Sequence, residues 1–208
     1  MVMNIDIYVE SELARVPGWC TQEKALKLYE CAVGHGAKLV LEIGVYGGSS
    51  FFPLSLAMKQ TGGTAAGVDP WAVESCLEEM ENPANKAWWG SQDLESIYRD
   101  FMARLRQYGV HNNIVVHRQK SCDVIDRFED GSVDILHIDG NHCEKMAYED
   151  SVNFLPKVKV GGHIFFDDVN WTEREGVLST QKGLDYLLGF CERVDLCGKD
   201  CVILRRFR

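Results

Sequence analysis

Leu39-Val40-Leu41-Glu42-Ile43-Gly44-Val45-Tyr46-Gly47-Gly48-Ser49-Ser50 joins a short apolar run to a glycine-rich turn and two serines. Four of the first five residues are large and apolar, which suits a buried strand. The glycines let the backbone turn sharply and approach a ligand closely. Ser49 and Ser50 can cap a helix over residues 51–59. A strand, a tight turn and a helix in this order form the repeating unit of a parallel sheet covered by helices.

The unit recurs along the chain. Upstream, residues 22–33 carry Ala25, Leu26, Leu28, Tyr29, Ala32 and Val33 at helical spacing, stopped by Gly34 and Gly36. Residues 1–36 therefore read as a helical lead-in. Downstream, strands are expected at 64–68, 114–117, 133–138 and 163–166, the second strand being stopped by Asp69-Pro70. Helices are expected at 91–108, 123–128, 145–155 and 180–190, the first of these with Leu94, Ile97, Phe101, Leu105 and Tyr108 on one face. Residues 193–196 and 202–205 form a closing hairpin around Gly198-Lys199-Asp200. The expected architecture is one α/β domain over residues 1–208, a doubly wound sheet with helices on both faces. Residues 71–90 show no period. They carry Trp71, Trp88 and Trp89 among acidic residues and read as a lid that selects an acceptor. Those aromatics either stack on a ligand or pack into the core.

Composition narrows the partners. The 208 residues carry a formal net charge of -9, which disfavours a nucleic acid or any other polyanion. The basic run Arg205-Arg206-Phe207-Arg208 reads as a solvated tail. The 8 cysteines are scattered with no C-x-x-C pair, and Asp6, Glu10 and Glu12 stand where a signal peptide would be basic and then apolar. Reduced thiols in a cytoplasmic protein are the simplest account, with Cys197 and Cys201 placed to face each other across the hairpin. No apolar run is long enough to cross a bilayer. The expected partner is a small molecule, not a membrane.

In a doubly wound sheet, ligands bind beyond the carboxyl ends of the strands. Glu42, Gly44, Tyr46, Gly47, Ser49 and Ser50 lie at the first such end, and Asp69 at the second, placed to accept from a ribose diol. A dinucleotide would want G-x-G-x-x-G, but Tyr46 stands where its second glycine should be. A cofactor with a cationic amino-acid end would instead welcome Glu42, directly or through water. The fourth and fifth strands end in Asp139-Gly140-Asn141-His142 and Asp167-Asp168. Adjacent strands would bring Asp139, Asp167 and Asp168 together, and three crowded carboxylates favour a hard divalent cation such as Mg²⁺, Ca²⁺ or Mn²⁺. His142 would take a proton from a hydroxyl held there. Taken singly, the aspartates equally suit helix caps, and His142 a backbone hydrogen bond.

Glu42-x-Gly44 with Gly47-Gly48-Ser49, and the terminal hairpin, resemble class I S-adenosylmethionine-dependent methyltransferases. Ile138-Asp139-Gly140-Asn141-His142, Asp150, Gly161-Gly162 and Phe166-Asp167-Asp168-x-x-Trp171 resemble a bacterial family within that class. It includes macrocin- and mycinamicin-type sugar O-methyltransferases and relatives of a cephalosporin biosynthesis protein. Catechol O-methyltransferase is similar in layout, with a lysine where His142 stands. The resemblance spans about Val40 to Trp171. It implies a Rossmann-like, seven-stranded, mostly parallel sheet with an antiparallel C-terminal strand, and S-adenosylmethionine as donor. It implies Mg²⁺ on Asp139, Asp167 and Asp168, His142 as base, Asp69 on the ribose and Ser121 near the adenine, with Asp139 also beside the cofactor. Related enzymes commonly form homo-oligomers. The sugar enzymes are longer at the N-terminus, so sugar-binding elements differ here. A metal-independent methyltransferase and a non-catalytic cofactor-binding module are the competing expectations.

Overall fold

The structure is a computed structural model that describes residues 3–174 and 176–208; residues 1 and 2 of the expected lead-in lie outside them. The chain opens with α1 (Ile5–Ile7), a π turn (Tyr8–Glu12) and a 3-10 turn (Leu13–Arg15). Then come α2 (Gln22–Gly34), β1 (Leu39–Ile43), α3 (Phe51–Thr61) and β2 (Thr64–Val68). The segment read as aperiodic holds α4 (Val73–Cys76) and α5 (Pro83–Gly90), and α6 (Leu94–Gln107) follows. β3 (Ile114–His117) and β4 (Val133–Ile138) are joined by 3-10 turns at Ser121–Asp123 and Ile125–Arg127, where a short helix was expected. The rest is α7 (Glu144–Phe154), β5 (Val158–Phe166), β6 (Thr172–Arg174), β7 (Val177–Leu178), α8 (Gln181–Leu188), β8 (Cys191–Cys197) and β9 (Cys201–Arg206).

The main sheet has seven strands in the order β3-β2-β1-β4-β5-β9-β8. The first five are parallel, and β9 runs antiparallel to β5. Strand order reverses between β1 and β4, so their carboxyl ends frame the crevice where a ligand belongs. Alternate residues of each strand serve opposite faces. Val40, Ile135 and Phe165 join one core with α2, α3 and α6; Leu41, Leu136 and Ile164 join the other with α7 and α8. Glu42 and His137 share the parity of Val40 and Ile135, and they are direct register partners. Two polar side chains are thereby buried side by side on the α2 face.

β5 begins five residues earlier than the apolar run suggested. Val158 pairs with Val133, and a register shift before His163 absorbs Gly161-Gly162, the first at φ +87°. The glycines form an irregularity inside the strand instead of a turn before it. The short β6–β7 ribbon escaped the sequence reading. Cys197 and Cys201 face each other in register at the end of the hairpin, and both thiols are free. Among the described residues no helix is long and apolar enough to cross a membrane.

Candidate active site

A cavity of about 690 Å³ opens at the carboxyl ends of β1, β2, β4 and β5. Gly44, Tyr46, Ser49, Ser50, Asp69, Ser121, Asp139, His142, Asp167 and Asp168 line it. Ten of the expected site residues thus converge; Glu42 and Gly47 stand behind the wall. Gly47 packs its backbone against Pro17, where a Cβ would meet the Pro17 carbonyl oxygen at 2.3 Å. Gly44 is constrained from the cavity side. Its φ is +86°, and a Cβ would lie 2.0 Å from the Asp139 carbonyl oxygen. Only glycine lets the β1 turn press this closely on the β4 turn.

Glu42 is fully buried and does not line the cavity. Its Oε1 accepts from Ser50 Oγ at 2.8 Å, and its Oε2 lies 3.3 Å from His137 Nδ1. The latter contact lacks hydrogen-bond alignment and is best described as an ion pair. On the other side His137 Nε2 lies 3.1 Å from Asp167 Oδ2, which also binds Lys24 Nζ. Burial disfavours charge on His137, but Glu42, Asp167 and Asp139 outweigh it and push the ring up to about 10. A chain of alternating charge, Glu42, His137, Asp167, Lys24, therefore runs from the glycine turn to the acidic cluster. Lys24 sits in the first turn of α2, which Thr21 caps by accepting the Lys24 N–H at 3.1 Å. Neither Lys24 nor His137 was singled out from the sequence.

The three aspartates divide into two groups that share Asp139. One is His137, Asp139 and Asp167, the more buried of the two; the other is Asp139, His142 and Asp168, and all three aspartates reach the cavity wall. His142 Nε2 lies 3.0 Å from Asp168 Oδ2 and 3.8 Å from Asp139 Oδ1. Burial opposes charge on His142, yet Asp168, Asp139 and Asp167 raise it to about 9. Burial lifts Asp139 to about 7, helped by Asp167 and Asp168 against Lys24 and His137. Lys24 and His137 thus satisfy Asp167 and leave Asp139 under-compensated. Oxygen donors short of positive charge at a cavity wall fit a hard divalent cation.

Asp69 carries its own constraint. Its Oδ2 accepts from Tyr46 N at 2.8 Å and its Oδ1 from Trp71 N at 2.7 Å. Each oxygen keeps a second lone pair for a ribose hydroxyl. Tyr46 and Asp168 hold left-handed backbone, at φ +48° and +53°. That costs a non-glycine residue about 1–2 kcal/mol, and here it falls on two cavity walls. Ser121 donates to Asp150 Oδ1 at 2.5 Å on the α7 side.

The segment 71–90 is tied to these same turns. Asn141 Nδ2 donates to the Glu78 carbonyl at 2.9 Å, and Glu173 accepts the N–H groups of Glu81 and Asn82 at 2.9 and 2.8 Å. Trp88 and Trp89 of α5, Trp19 and Tyr46 form an aromatic group at the cavity rim; Trp19 stacks on Tyr46 with ring centroids 5.6 Å apart. The aromatics of α5 therefore line the cavity, Trp89 also packing against the core, while Trp71 is buried.

The sequence signature of the family described as "Methyltransferase domain" matches residues 41–169. The uncharacterized protein y4gI of Sinorhizobium fredii (strain NBRC 101917 / NGR234) is 28% identical over 135 residues, 64% of this chain. The chain spans 13% of the length of that relative. Among solved structures, the O-methyltransferase NovP superposes with a TM-score of 0.71 at 14% identity, over 90% of this chain and 81% of that one. The O-methyltransferase TomG from Streptomyces achromogenes, in complex with S-adenosylmethionine, superposes with a TM-score of 0.65 at 14% identity, over 98% and 89%. At such identities the structures speak for the fold, while the family match covers more than half of the chain. The chain belongs to the methyltransferase-domain family and has the class I S-adenosylmethionine-dependent methyltransferase fold.

Proposed function

We propose that the chain methylates a hydroxyl oxygen of a small sugar-like or vicinal-diol acceptor, with S-adenosylmethionine as donor and a divalent cation, Mg²⁺ by donor type, as helper. The observation that carries the reading is the Asp139, His142 and Asp168 group, which faces the same cavity as the Gly44–Ser50 turn and Asp69. Bound S-adenosylmethionine supplies an electrophilic methyl group. The Gly44 turn, Tyr46, Ser49 and Ser50 hold its amino-acid end, Asp69 accepts from its ribose and Ser121 stands near its adenine. Asp139, Asp167 and Asp168 would hold the cation. Such a cation would supply positive charge that offsets Asp139 and Asp168 beside His142 and would act as a Lewis acid toward the acceptor. The neutral His142 ring then takes the acceptor proton at Nε2. Segment 71–90, held over the cavity by Asn141 and Glu173, would exclude water, and the aromatic rim would orient the body of the acceptor.

The test has two stages. Calorimetry with S-adenosylhomocysteine should show binding by the parent and by His142→Ala alike. Methyl transfer to a panel of vicinal diols should then fall roughly 10²–10⁴-fold in His142→Ala. It should also stop after chelation and recover with Mg²⁺. Absence of S-adenosylhomocysteine binding overturns the reading, and turnover that ignores chelation removes the cation from it.

A further inference from the structure

Away from the active site, α2 and β5 bring together a second set of metal-ligating side chains. Cys31 and His35 lie four residues apart and share one face at the end of α2. His163 meets them from β5, with its ring centroid 4.3 Å from that of His35. One ligand atom from each of the three lies within 4.8 Å of the others. We propose that Cys31, His35 and His163 form a binding site for Zn²⁺ or a similar borderline-soft divalent metal, separate from the acidic cluster and structural in purpose.

A tetrahedral zinc ion with bonds of about 2.0–2.3 Å holds its ligand atoms about 3.3–3.6 Å apart. One ligand atom from each residue already lies within 4.8 Å of the other two, so side-chain adjustments of about 1 Å bring the set to that spacing. His35 Nδ1 lies 2.9 Å from the Cys31 carbonyl oxygen. Donation there fixes the tautomer and leaves the lone pair on Nε2, the backbone brace that metal-binding histidines commonly use. His163 is buried at 7% exposure, and among the described residues its ring makes no hydrogen bond. A ring nitrogen is therefore free to ligate. The nearby cation opposes the site weakly, because Arg205, the register partner of His163, is bound to Glu192 at 2.5 and 2.9 Å. One sulfur and two nitrogens select zinc-like ions over Mg²⁺ and leave a fourth position for water. Binding releases the Cys31 thiol proton to solvent, so the bound site carries one positive charge.

The consequence is mechanical. Cys31 lies two helical turns along α2 from Lys24, and His163 lies four residues along β5 from Asp167. A metal at one end would clip the same two elements that the Lys24–Asp167 pair joins at the other. It would stabilise the folded chain by binding it alone.

Co²⁺ added to the chelator-stripped full chain tests the site. The acidic cluster has no thiol, so a thiolate-to-cobalt charge-transfer band reports Cys31. One equivalent should give that band, Zn²⁺ should displace it, and excess Mg²⁺ should not. Cys31→Ser and His35→Ala should each abolish it and weaken Zn²⁺ binding roughly 10-fold or more. His35 is exposed, so its variant keeps the fold and serves as the control for misfolding. A band absent from the parent, or surviving in either variant, overturns the proposal.

Discussion

Asp167 and Asp150 line one cavity from opposite flanks, and each is almost fully buried, at 3% and 5% exposure. Burial pushes both carboxyls toward the neutral form. On the α2 flank, His137 and Lys24 overcome it and hold Asp167 well below the usual carboxylate range. On the α7 flank the Ser121 hydroxyl offsets only part of the penalty, and Asp150 rises to about 7. Equal burial thus gives opposite protonation. The difference lies in whether the fold places a cation beside the acid. One flank is a fixed anion in an ion chain; the other is a carboxyl that can donate or accept near neutral pH.

Removing one of the two cations should shrink the contrast. Lys24→Met leaves Asp167 to His137 alone under α2. With chelator present, urea unfolding should show a loss of about 3–5 kcal/mol, the usual cost of stranding half of a buried pair. Lys24→Met with Asp167→Asn should recover most of that loss, because neither charge is then buried alone. A double variant no more stable than Lys24→Met would mean that the pair does not act as a unit.

Asp150→Asn probes the other flank through pH. The folded carboxyl sits near 7, above its unfolded value near 4, so between those limits the folded chain holds a proton that the unfolded chain has released. Its stabilising contribution is complete below about pH 4 and is lost as pH rises through about 7. Glu149 reinforces the shift and His142 opposes it. Asparagine does not titrate. The parent should therefore lose stability relative to Asp150→Asn between pH 5 and pH 8, as read from paired urea midpoints. Parallel profiles would show that Asp150 is ionised throughout.

The same contrast explains what the sequence discloses. Asp139, His142, Asp167 and Asp168 were legible because they follow apolar strands, where a doubly wound sheet places its chemistry. Lys24 was not, because nothing local separates it from Lys27, which is only half-buried and pairs with Asp195 at 2.8 Å. Only the packing of α2 across β5 assigns the two lysines different fates. His137 left a fainter trace: Leu39–Ile43 and Val133–Ile138 each carry one polar residue near the carboxyl end, at the same parity, and facing strands bury such residues together. Glu42 belongs to the same pattern, since Ser50 and His137 lie beside its buried carboxylate. The lid helix had its own signal, Asn82 accepting from Ala84 N and Asn85 N with Pro83 at the first position, a common helix start. β5 was cut short because a glycine pair reads as a turn until register shows it as a bulge.

Ser121→Ala gives the smallest effect and sharpens the comparison furthest. Its hydroxyl donates to Asp150 Oδ1 and so favours the ionised carboxyl. Loss of one such bond should cost about 1 kcal/mol where Asp150 is charged. Where Asp150 is already protonated, the cost should shrink, because a neutral carboxyl demands less from its donor. The destabilisation should therefore grow from pH 5 to pH 8, adding to the same loss that Asp150→Asn relieves. If the cost of Ser121→Ala is the same at both values, the hydroxyl does not tune the acid, and only a cation separates the two flanks.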